Sequence, residues 1–349
     1  MQGRHTPSPP SFVAARPTRA LPALTASHPQ VAPMRPTVPN ALCSPASPAV
    51  PSRSTRLSSA VRRGFRLCVV LGIATPLAAQ SNTRGTLFIV GGGTQPSALV
   101  DEFVQRARGR GKAHIVVFAM ASASGERSGE DKAKDLRARG ATARNIWITR
   151  EQADLDSVVH LLDSATGVWF GGGDQNRLTK ALLGSKVERA IHARYAAGAV
   201  VGGTSAGAAV LSTPMITGTE LDRGRDTTQD WTRIKRGTVQ VDSGFSFLRD
   251  AIIDQHFLRR KRQNRLLSLV LATPPHLGAG IDEGTAIVVE PNGLWRIMGA
   301  SSVLIVDARE ARRTGGSAPV LGASAVRMHL LPDGATFNPK TGAATLRKD

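Results

Sequence analysis

Cysteine is almost absent from this chain of 349 residues, which has only Cys43 and Cys68. Both lie among the first 80 residues, so the rest of the chain has none. This excludes a disulfide framework, a thiolate metal site and a cysteine nucleophile from residues 81–349. A protein without cysteine is compatible with an oxidising compartment but does not require one.

Acidic residues are missing from the first 80 residues, which contain nine arginines and no Asp or Glu. The segment is rich in Pro, Ser, Thr and Ala, and it has no sustained apolar pattern before Leu67. It cannot bury enough apolar surface to offset the entropy of ordering, so we expect most of it to be disordered. It carries +9 of the formal charge of +19, which leaves +10 for residues 81–349. That remainder is long enough for one domain with a sizeable core.

Residues 67–77 form an apolar run too short to span a bilayer, which takes about 20 residues. The basic residues 62–66 precede this run and Ala78-Ala79-Gln80 follows it, which predicts a secretory signal peptide over residues 61–80 and export without a stable membrane anchor. The pair Arg62 and Arg63 is also compatible with twin-arginine export. Because 60 residues precede this segment, we expect translation to begin near Val61, leaving residues 1–60 untranslated. The alternative is a disordered tail that ends in an apolar patch.

Beyond residue 85, short β-branched runs alternate with helical patterns, which predicts right-handed βαβ units and a parallel sheet. After residue 283 the pattern becomes rich in strands, which extend one sheet edge or form a second sheet. The predicted strands cover residues 86–90, 113–120, 145–149, 167–170, 199–201, 251–253, 285–290, 294–298, 303–306 and 325–331. The predicted helices cover residues 96–108, 131–139, 152–163 and 176–195.

A G-x-S-x-G pattern formed by Gly203, Ser205 and Gly207 lies between a predicted strand and a predicted helix. This arrangement is typical of a nucleophile elbow, in which a strained turn exposes the serine hydroxyl. The amide of Ala206 would then face a developing oxyanion at the helix N-terminus. The alternative is an ordinary turn of small residues that happens to contain a serine.

His256 follows the predicted strand over residues 251–253 and could act as the general base for Ser205. A single histidine is more often structural than catalytic. The basic residues that follow it favour a solvated helix face, a nucleic-acid patch or, through Arg260, Arg262 and Arg265, a clamp for substrate carboxylates.

Two acids, Asp282 and Glu283, interrupt an apolar segment where two strands are predicted to join. Either could orient His256 and stabilise its imidazolium form. The alternative is a turn carboxylate that caps local backbone amides.

Together, these motifs resemble the cyanophycinases, serine exopeptidases related to aspartyl dipeptidase. The resemblance covers residues 86 to about 300 and rests on Gly-Gly-Thr-Ser-Ala-Gly-Ala, Gly-Gly-Asp-Gln, Asp-Gln-His-Phe and Gly-Ile-Asp-Glu-Gly-Thr-Ala. It implies an α/β fold, a three-layer αβα sandwich with a mostly parallel sheet, similar to class I glutamine amidotransferases and flavodoxin. The β-rich region would form a C-terminal extension of this single peptidase domain over residues 81–349.

The resemblance also implies roles for individual residues: Ser205 as nucleophile, His256 as base and Glu283 as the triad acid, with Asp282 a second choice. It adds Gly92 and Gly93 to Ala206 in the oxyanion hole. The implied substrate-pocket residues are Gln175, Asp254, Gln255, Arg260, Arg262 and Arg265.

The family's substrate is cyanophycin, a poly-aspartate with arginine on each β-carboxyl, which is released as β-aspartyl-arginine. The resemblance implies no metal or organic cofactor and a homodimer. Two features depart from the family pattern: Thr94 stands where an acidic residue is expected, and the insert over residues 220–236 matches no known motif.

Two other functions compete with this interpretation. An α/β-hydrolase-type esterase or lipase would use Ser205, Asp307 and His329, in the order of that class. A secreted cationic protein that binds nucleic acid or anionic surfaces would use the high positive charge. Aromatic residues for base stacking make up only 4% of the chain, which argues against nucleic acid as a partner.

Overall fold

The computed structural model describes residues 85–221 and 231–347. The predicted leader and signal peptide therefore lie outside the described residues, as do Asp222, Asp226 and Asp230 of the insert. Within the described ranges, no helix is both long enough and apolar enough to cross a membrane.

In the first half of the described chain, strands alternate with helices as the sequence predicts. The elements are β1 Thr86–Val90, α1 Ser97–Arg106, β2 His114–Phe118, α2 Gly125–Ala138, β3 Thr142–Ile146, α3 Asp156–Val159, β4 Gly167–Phe170, α4 Gln175–Leu182, α5 Lys186–Ala196, β5 Val200–Thr204 and α6 Ala206–Ala209.

The second half is dominated by strands and contains one further α-helix in its described part. Its elements are β6 Met215–Glu220, β7 Val239–Asp242, β8 Ile252–Gln255, α7 Gln263–Ala272, β9 Leu277–Ile281, β10 Thr285–Val289, β11 Trp295–Gly299, β12 Val303–Asp307, β13 Arg312–Arg313, β14 Ala323–Ser324, β15 Arg327–Leu331, β16 Thr336–Asn338 and β17 Ala343–Thr345.

A nine-stranded sheet in the order β17-β16-β11-β10-β1-β5-β4-β2-β3 forms the centre of the fold. The strands from β1 to β3 in this order are parallel, and β10, β11, β16 and β17 extend the sheet as antiparallel strands. Along β1, Leu87 and Ile89 belong to one buried cluster, whereas Phe88 and Val90 belong to another. Both faces of the sheet are therefore covered, which confirms the predicted α/β fold.

A second, six-stranded sheet has the order β15-β12-β9-β8-β6-β7. The sequence left open whether the β-rich region extends one sheet edge or forms a second sheet, and both occur. The strands β10, β11, β16 and β17 extend the first sheet, whereas β12 and β15 join the second. The turn between β9 and β10 connects the two sheets. Strand β8, which leads to His256, lies in the second sheet, while β5, which leads to Ser205, lies in the first.

The predicted continuous helix over residues 152–163 is wrong. The structure has a 3-10 helix Gln152–Asp154, the single turn α3, and a second 3-10 helix His160–Leu162, with Leu155 in an extended conformation. The Asp154 carboxylate accepts a hydrogen bond from the Lys186 amide at 2.7 Å. This long-range contact ties the 3-10 turn before Leu155 to the start of α5.

The third strand also differs from the prediction, because β3 ends at Ile146 instead of continuing to residue 149. Trp147 lies beyond the strand and is 48% exposed. The apolar residues at positions 146–148 therefore extend past the strand end, which explains the shift of the predicted boundary.

Candidate active site

Ser205 occupies the turn between β5 and α6 in a conformation that few non-glycine residues adopt, with φ 55° and ψ −113°. Its backbone amide donates to the Val90 carbonyl at 3.1 Å, which fixes the turn to β1. A Cβ added at Gly203 would lie 2.4 Å from the Gly207 carbonyl oxygen, and one at Gly207 would lie 2.1 Å from that of Phe170. The small residues of the motif are therefore required by close backbone packing.

His256 follows β8 with φ 50°, and its amide donates to the Gly91 carbonyl at 2.6 Å. This contact joins the end of the second sheet to the loop after β1 in the first. The imidazole Nε2 lies 2.8 Å from Ser205 Oγ. The seam between the two sheets thus brings the hydroxyl and the imidazole together.

Glu283 lies in the turn between β9 and β10, with its Oε1 2.6 Å from His256 Nδ1. The next amide, that of Gly284, donates to the Gly92 carbonyl at 2.9 Å and ties this turn to the same loop. Asp282 is engaged elsewhere, since its carboxylate accepts from the Arg259 amide and from Ser301 Oγ, each at 2.9 Å. The acid that faces His256 is therefore Glu283.

The pKa of His256 is lowered from its usual value, chiefly because burial disfavours the imidazolium. The hydrogen bond to Glu283 opposes this shift, and the positive charges of Arg260 and Arg262 add to it. A neutral ring in this position donates from Nδ1 to Glu283 and accepts the Ser205 hydroxyl proton at Nε2. This arrangement of hydroxyl, imidazole and carboxylate can support nucleophilic catalysis.

Three amides near Ser205 could stabilise an oxyanion. Ala206 is the first residue of α6, where no preceding helical carbonyl is available to its N–H. Gly92 and Gly93 adopt φ values of 109° and 69°, which favour glycine. The Gly91 amide is already bonded to the Thr285 carbonyl at 2.9 Å, which leaves Gly92 and Gly93 as the candidates from this loop.

Ser205 opens into a cavity of about 340 Å³, which we call the arginine cavity. Its lining residues are Gly173, Asp174, Gln175, Asn176, Ser205, Thr217, Gly218, Thr219, Gln255, Arg260, Arg262 and Arg265. Arg260 is exposed, and no carboxylate of the described residues lies within ion-pair distance of it. Gln175 is buried and donates from Nε2 to the Ile216 carbonyl at 2.7 Å.

The other two arginines of the predicted carboxylate clamp are bound by the protein itself. Arg265 is 1% exposed and donates from Nε to Asp254 Oδ2 at 2.9 Å and from Nη2 to Asp254 Oδ1. Arg262 donates from Nη1 to the Gln255 carbonyl at 2.7 Å and to the Gln255 side chain. These contacts make both arginines part of the cavity wall, and direct contact with a substrate stays a prediction for each.

The basic run after His256 is not a helix face, because residues 257–261 form turns and α7 begins at Gln263. The sequence reasoning also missed some lining residues: Asp174, Asn176, Thr217, Gly218 and Thr219. Asp174 and Asn176 flank Gln175 in the chain, so their position was available from that motif. The Thr-Gly-Thr stretch of β6 matches no motif and could be found only from the folded chain.

The alternative set of Ser205, Asp307 and His329 is not a triad. The Ser205 hydroxyl is bonded to His256, whereas the Asp307 carboxylate lies 2.7 Å from Arg309 Nη2. The His329 ring lies 5.6 Å from the ring of Phe337. In the parts of the chain described here, no group of three or more His, Cys, Asp or Glu side chains could hold a metal ion.

Comparison with known proteins places the chain in a family. Peptidase family S51 matches residues 87–297. A cyanophycinase of Synechococcus elongatus is 32% identical over 75% of this chain and 81% of its own length. A cyanophycinase of Nostoc sp. is 33% identical over 73% of this chain and 86% of its own length.

A solved structure, a peptidase from an acI-B1 Actinobacterium, has the same fold, with a TM-score of 0.56. It is 22% identical and the match covers 73% of this chain and 96% of that one. The family match extends from β1 to β11 and includes Ser205, His256 and Glu283. The chain therefore belongs to peptidase family S51 and is a serine-type peptidase.

Proposed function

We propose that this peptidase hydrolyses cyanophycin or related β-aspartyl peptides with Ser205, His256 and Glu283, and that it releases dipeptides of the β-aspartyl-arginine type. The observation that carries the proposal is the continuous hydrogen-bonded series from Ser205 Oγ through the His256 ring to Glu283 Oε1. The cyanophycinases that share about a third of its residues support the choice of substrate.

The reaction begins when His256 Nε2 takes the Ser205 hydroxyl proton and Oγ attacks the scissile carbonyl carbon. The oxyanion accepts hydrogen bonds from the Ala206 amide and from Gly92 or Gly93. Glu283 holds the ring by its Nδ1–H and stabilises the imidazolium, which then protonates the leaving amine. Water repeats the steps on the acyl-enzyme, with His256 again as base, and the acid is released with Ser205 restored.

The arginine cavity favours an acidic acyl group. Arg260 presents an exposed guanidinium there without a carboxylate partner among the described residues. A guanidinium can bind a carboxylate through two parallel hydrogen bonds, which fixes the orientation of the substrate as well as its position. In cyanophycin the scissile carbonyl is the α-carbonyl of an aspartyl residue whose β-carboxyl carries arginine, so the free carboxylate that Arg260 would bind is that of this arginine.

The test is to incubate the protein with cyanophycin, with β-linked aspartyl dipeptides and with their α-linked isomers, and to identify products by mass spectrometry. We expect β-aspartyl-arginine from cyanophycin, which requires cleavage of the α-linked backbone bonds and leaves the β-linked bond to arginine intact. The α-linked dipeptides should therefore be cleaved in preference to the β-linked ones. Intact cyanophycin after prolonged incubation would refute the proposed polymer substrate, and free arginine released from the β-linked bond would refute the proposed product.

We also propose that the enzyme is exported through the signal peptide over residues 61–80. Sequencing the N-terminus of the native protein tests this directly. We expect the mature N-terminus near residue 81, and a native protein that still carries residues 61–80 would contradict the proposed signal peptide.

A further inference from the structure

A second cavity, which we call the lysine cavity, lies beside the arginine cavity and has a volume of about 220 Å³. It is enclosed by the carboxyl ends of β2, β4 and β5, by α2 and by the loop after β1. Its lining residues are Gln95, Val117, Ala119, Ser122, Ser128, Gly129, Lys132, Trp169, Gly171, Gly172 and Thr204. The mechanism above gives no role to any of its side chains.

The two cavities meet at the nucleophile. Gly172 lines the lysine cavity, and the next residue, Gly173, lines the arginine cavity. Likewise, Thr204 lines the lysine cavity and Ser205 lines the arginine cavity. A Cβ added at Gly172 would lie 3.5 Å from Ser205 Cβ and 3.9 Å from Oγ. Both cavities therefore approach Ser205, along the segments 172–173 and 204–205.

The charge of the lysine cavity comes from one residue. Among the described residues that line it, Lys132 is the only one with a cationic side chain and none has a carboxylate. The ammonium donates to Gln95 Oε1 at 2.8 Å and to Asp135 Oδ2 at 3.3 Å, and it lies 4.7 Å from the centre of the Trp169 ring. Two of its three N–H groups thus have protein acceptors, and the third is available to a ligand.

The positive charge of Lys132 is only partly neutralised. Its anionic partner within residues 85–221 and 231–347 is Asp135, which Arg139 also binds. Burial lowers the pKa of Lys132 because it removes the ammonium from water, and the interaction with Asp135 opposes this shift only in part. An anion in the cavity would supply the missing interaction.

A second polar group in the lysine cavity also lacks a partner. Thr204 Oγ1 is buried and makes no hydrogen bond to any described residue. A buried hydroxyl without a partner costs free energy that a ligand can recover. Lys132 and Thr204 thus contribute two donors to the lining, together with the apolar walls of Val117, Ala119 and Trp169.

We propose that the lysine cavity binds a carboxylate of the leaving part of the peptide, on the far side of the scissile bond from the arginine cavity. The acyl part stays bonded to Ser205, so it belongs in the arginine cavity, which contains that side chain. The leaving part then occupies the space beyond Gly172. This inference rests on the proposed role of Ser205, but it does not depend on cyanophycin as the substrate.

The test compares an α-linked aspartyl dipeptide that has a free carboxylate on its leaving residue with the same dipeptide as the carboxamide. We expect wild-type kcat/KM to favour the carboxylate by about tenfold or more, as for a hydrogen bond between charged groups. In Lys132→Met the preference should fall to near unity, and Lys132→Arg should restore part of it. Thr204→Val should lower the preference for the carboxylate even though the Lys132 ammonium is still present.

Lys132 could instead act only by holding Gln95 and the glycine loop after β1. In that case Lys132→Met would slow both substrates equally and leave the preference unchanged, which would overturn the proposal. Gln95→Met is the matched control, because it removes the contact to the loop and keeps the ammonium, and it should slow both substrates alike.

The ratio of kcat/KM for the carboxylate to that for the carboxamide tests the proposal in the wild-type enzyme, even where a variant fails to fold. A wild-type enzyme that cleaves the carboxamide as fast as the carboxylate, or that cleaves neither dipeptide, overturns the subsite. An enzyme that prefers the carboxylate and leaves cyanophycin intact would refute the proposed polymer substrate and keep the subsite.

Discussion

The imidazole of His256 lies directly against the Cα of Gly92, so that a Cβ at residue 92 would be 2.3 Å from His256 Cε1. This side-chain position is therefore defined from three directions, by Ser205, by Glu283 and by the glycine loop. The absence of a side chain at residue 92 is a requirement of the site and not only of the backbone turn.

Gly92→Ala should displace the His256 ring and lower kcat/KM by about a hundredfold or more, because misplacing a catalytic group by about 1 Å has an effect of that size. The matched control is Gly184→Ala. Gly184 also has a positive φ, of 75°, but apart from its chain neighbours no heavy atom of the described residues lies within 4 Å of its added Cβ. Similar activity in the two variants would show that the contact with His256 is unimportant.

Glu283→Gln should lower kcat by about a hundredfold to 10⁴-fold, because an amide no longer stabilises the imidazolium and can hold the ring in the wrong tautomer. Asp282→Asn is the control, because Asp282 bonds to Arg259 and Ser301 instead of the imidazole. Steady-state rates on one aspartyl dipeptide distinguish them. A larger loss in Asp282→Asn would reassign the triad acid.

The pH profile of kcat/KM should report the lowered pKa of His256. Activity requires the neutral ring. The midpoint of the acid limb should therefore lie below pH 6.5, the ordinary pKa of histidine. Arg260→Gln removes a positive charge that disfavours the imidazolium, so it should raise the pKa and move the acid limb to higher pH. Lys112→Gln, an exposed change at the amino end of β2, should leave the limb in place. A limb that moves to lower pH in Arg260→Gln would contradict this account.

Asp254→Ala should reduce the free energy of unfolding by about 3–5 kcal/mol, since it leaves the buried Arg265 guanidinium without its partner. Glu130→Gln breaks an ion pair between two exposed side chains, since Arg137 is 40% and Glu130 44% exposed. It should change the free energy of unfolding by less than about 1 kcal/mol. Urea unfolding followed by circular dichroism measures both. Equal stability of the two variants would mean that Arg265 is not held by Asp254 alone.

The sequence predicts the central strands of the alternating half well, because β1, β2, β4 and β5 are buried on both faces and are short apolar runs, whereas the edge strand β3 is partly exposed and its bounds were mispredicted. It could not show that β8 and β9 belong to a second sheet, since strand patterns carry no information on pairing partners. The seam that joins His256 to Ser205 is consequently visible only in the structure.

Residue types and their positions after strands pointed to Ser205 and His256, while the choice of Glu283 over Asp282 came from the family resemblance. Geometry now separates these acids through their hydrogen-bond partners. The sequence could not reveal that Arg265 is neutralised by Asp254, because residue type alone does not distinguish an arginine available to substrate from one buried in an ion pair. Lys132 drew no attention for the related reason that lysines on helices are usually solvated.

The most direct measurement of the central claim is kcat/KM of Ser205→Ala on an aspartyl dipeptide, with thermal unfolding recorded on the same sample. Alanine keeps the Cβ and therefore the strained backbone of the turn, so only the hydroxyl is lost. We predict a loss of about 10⁴-fold or more with an unfolding temperature close to that of the wild type. Turnover within tenfold of the wild type in a folded Ser205→Ala protein would contradict the account.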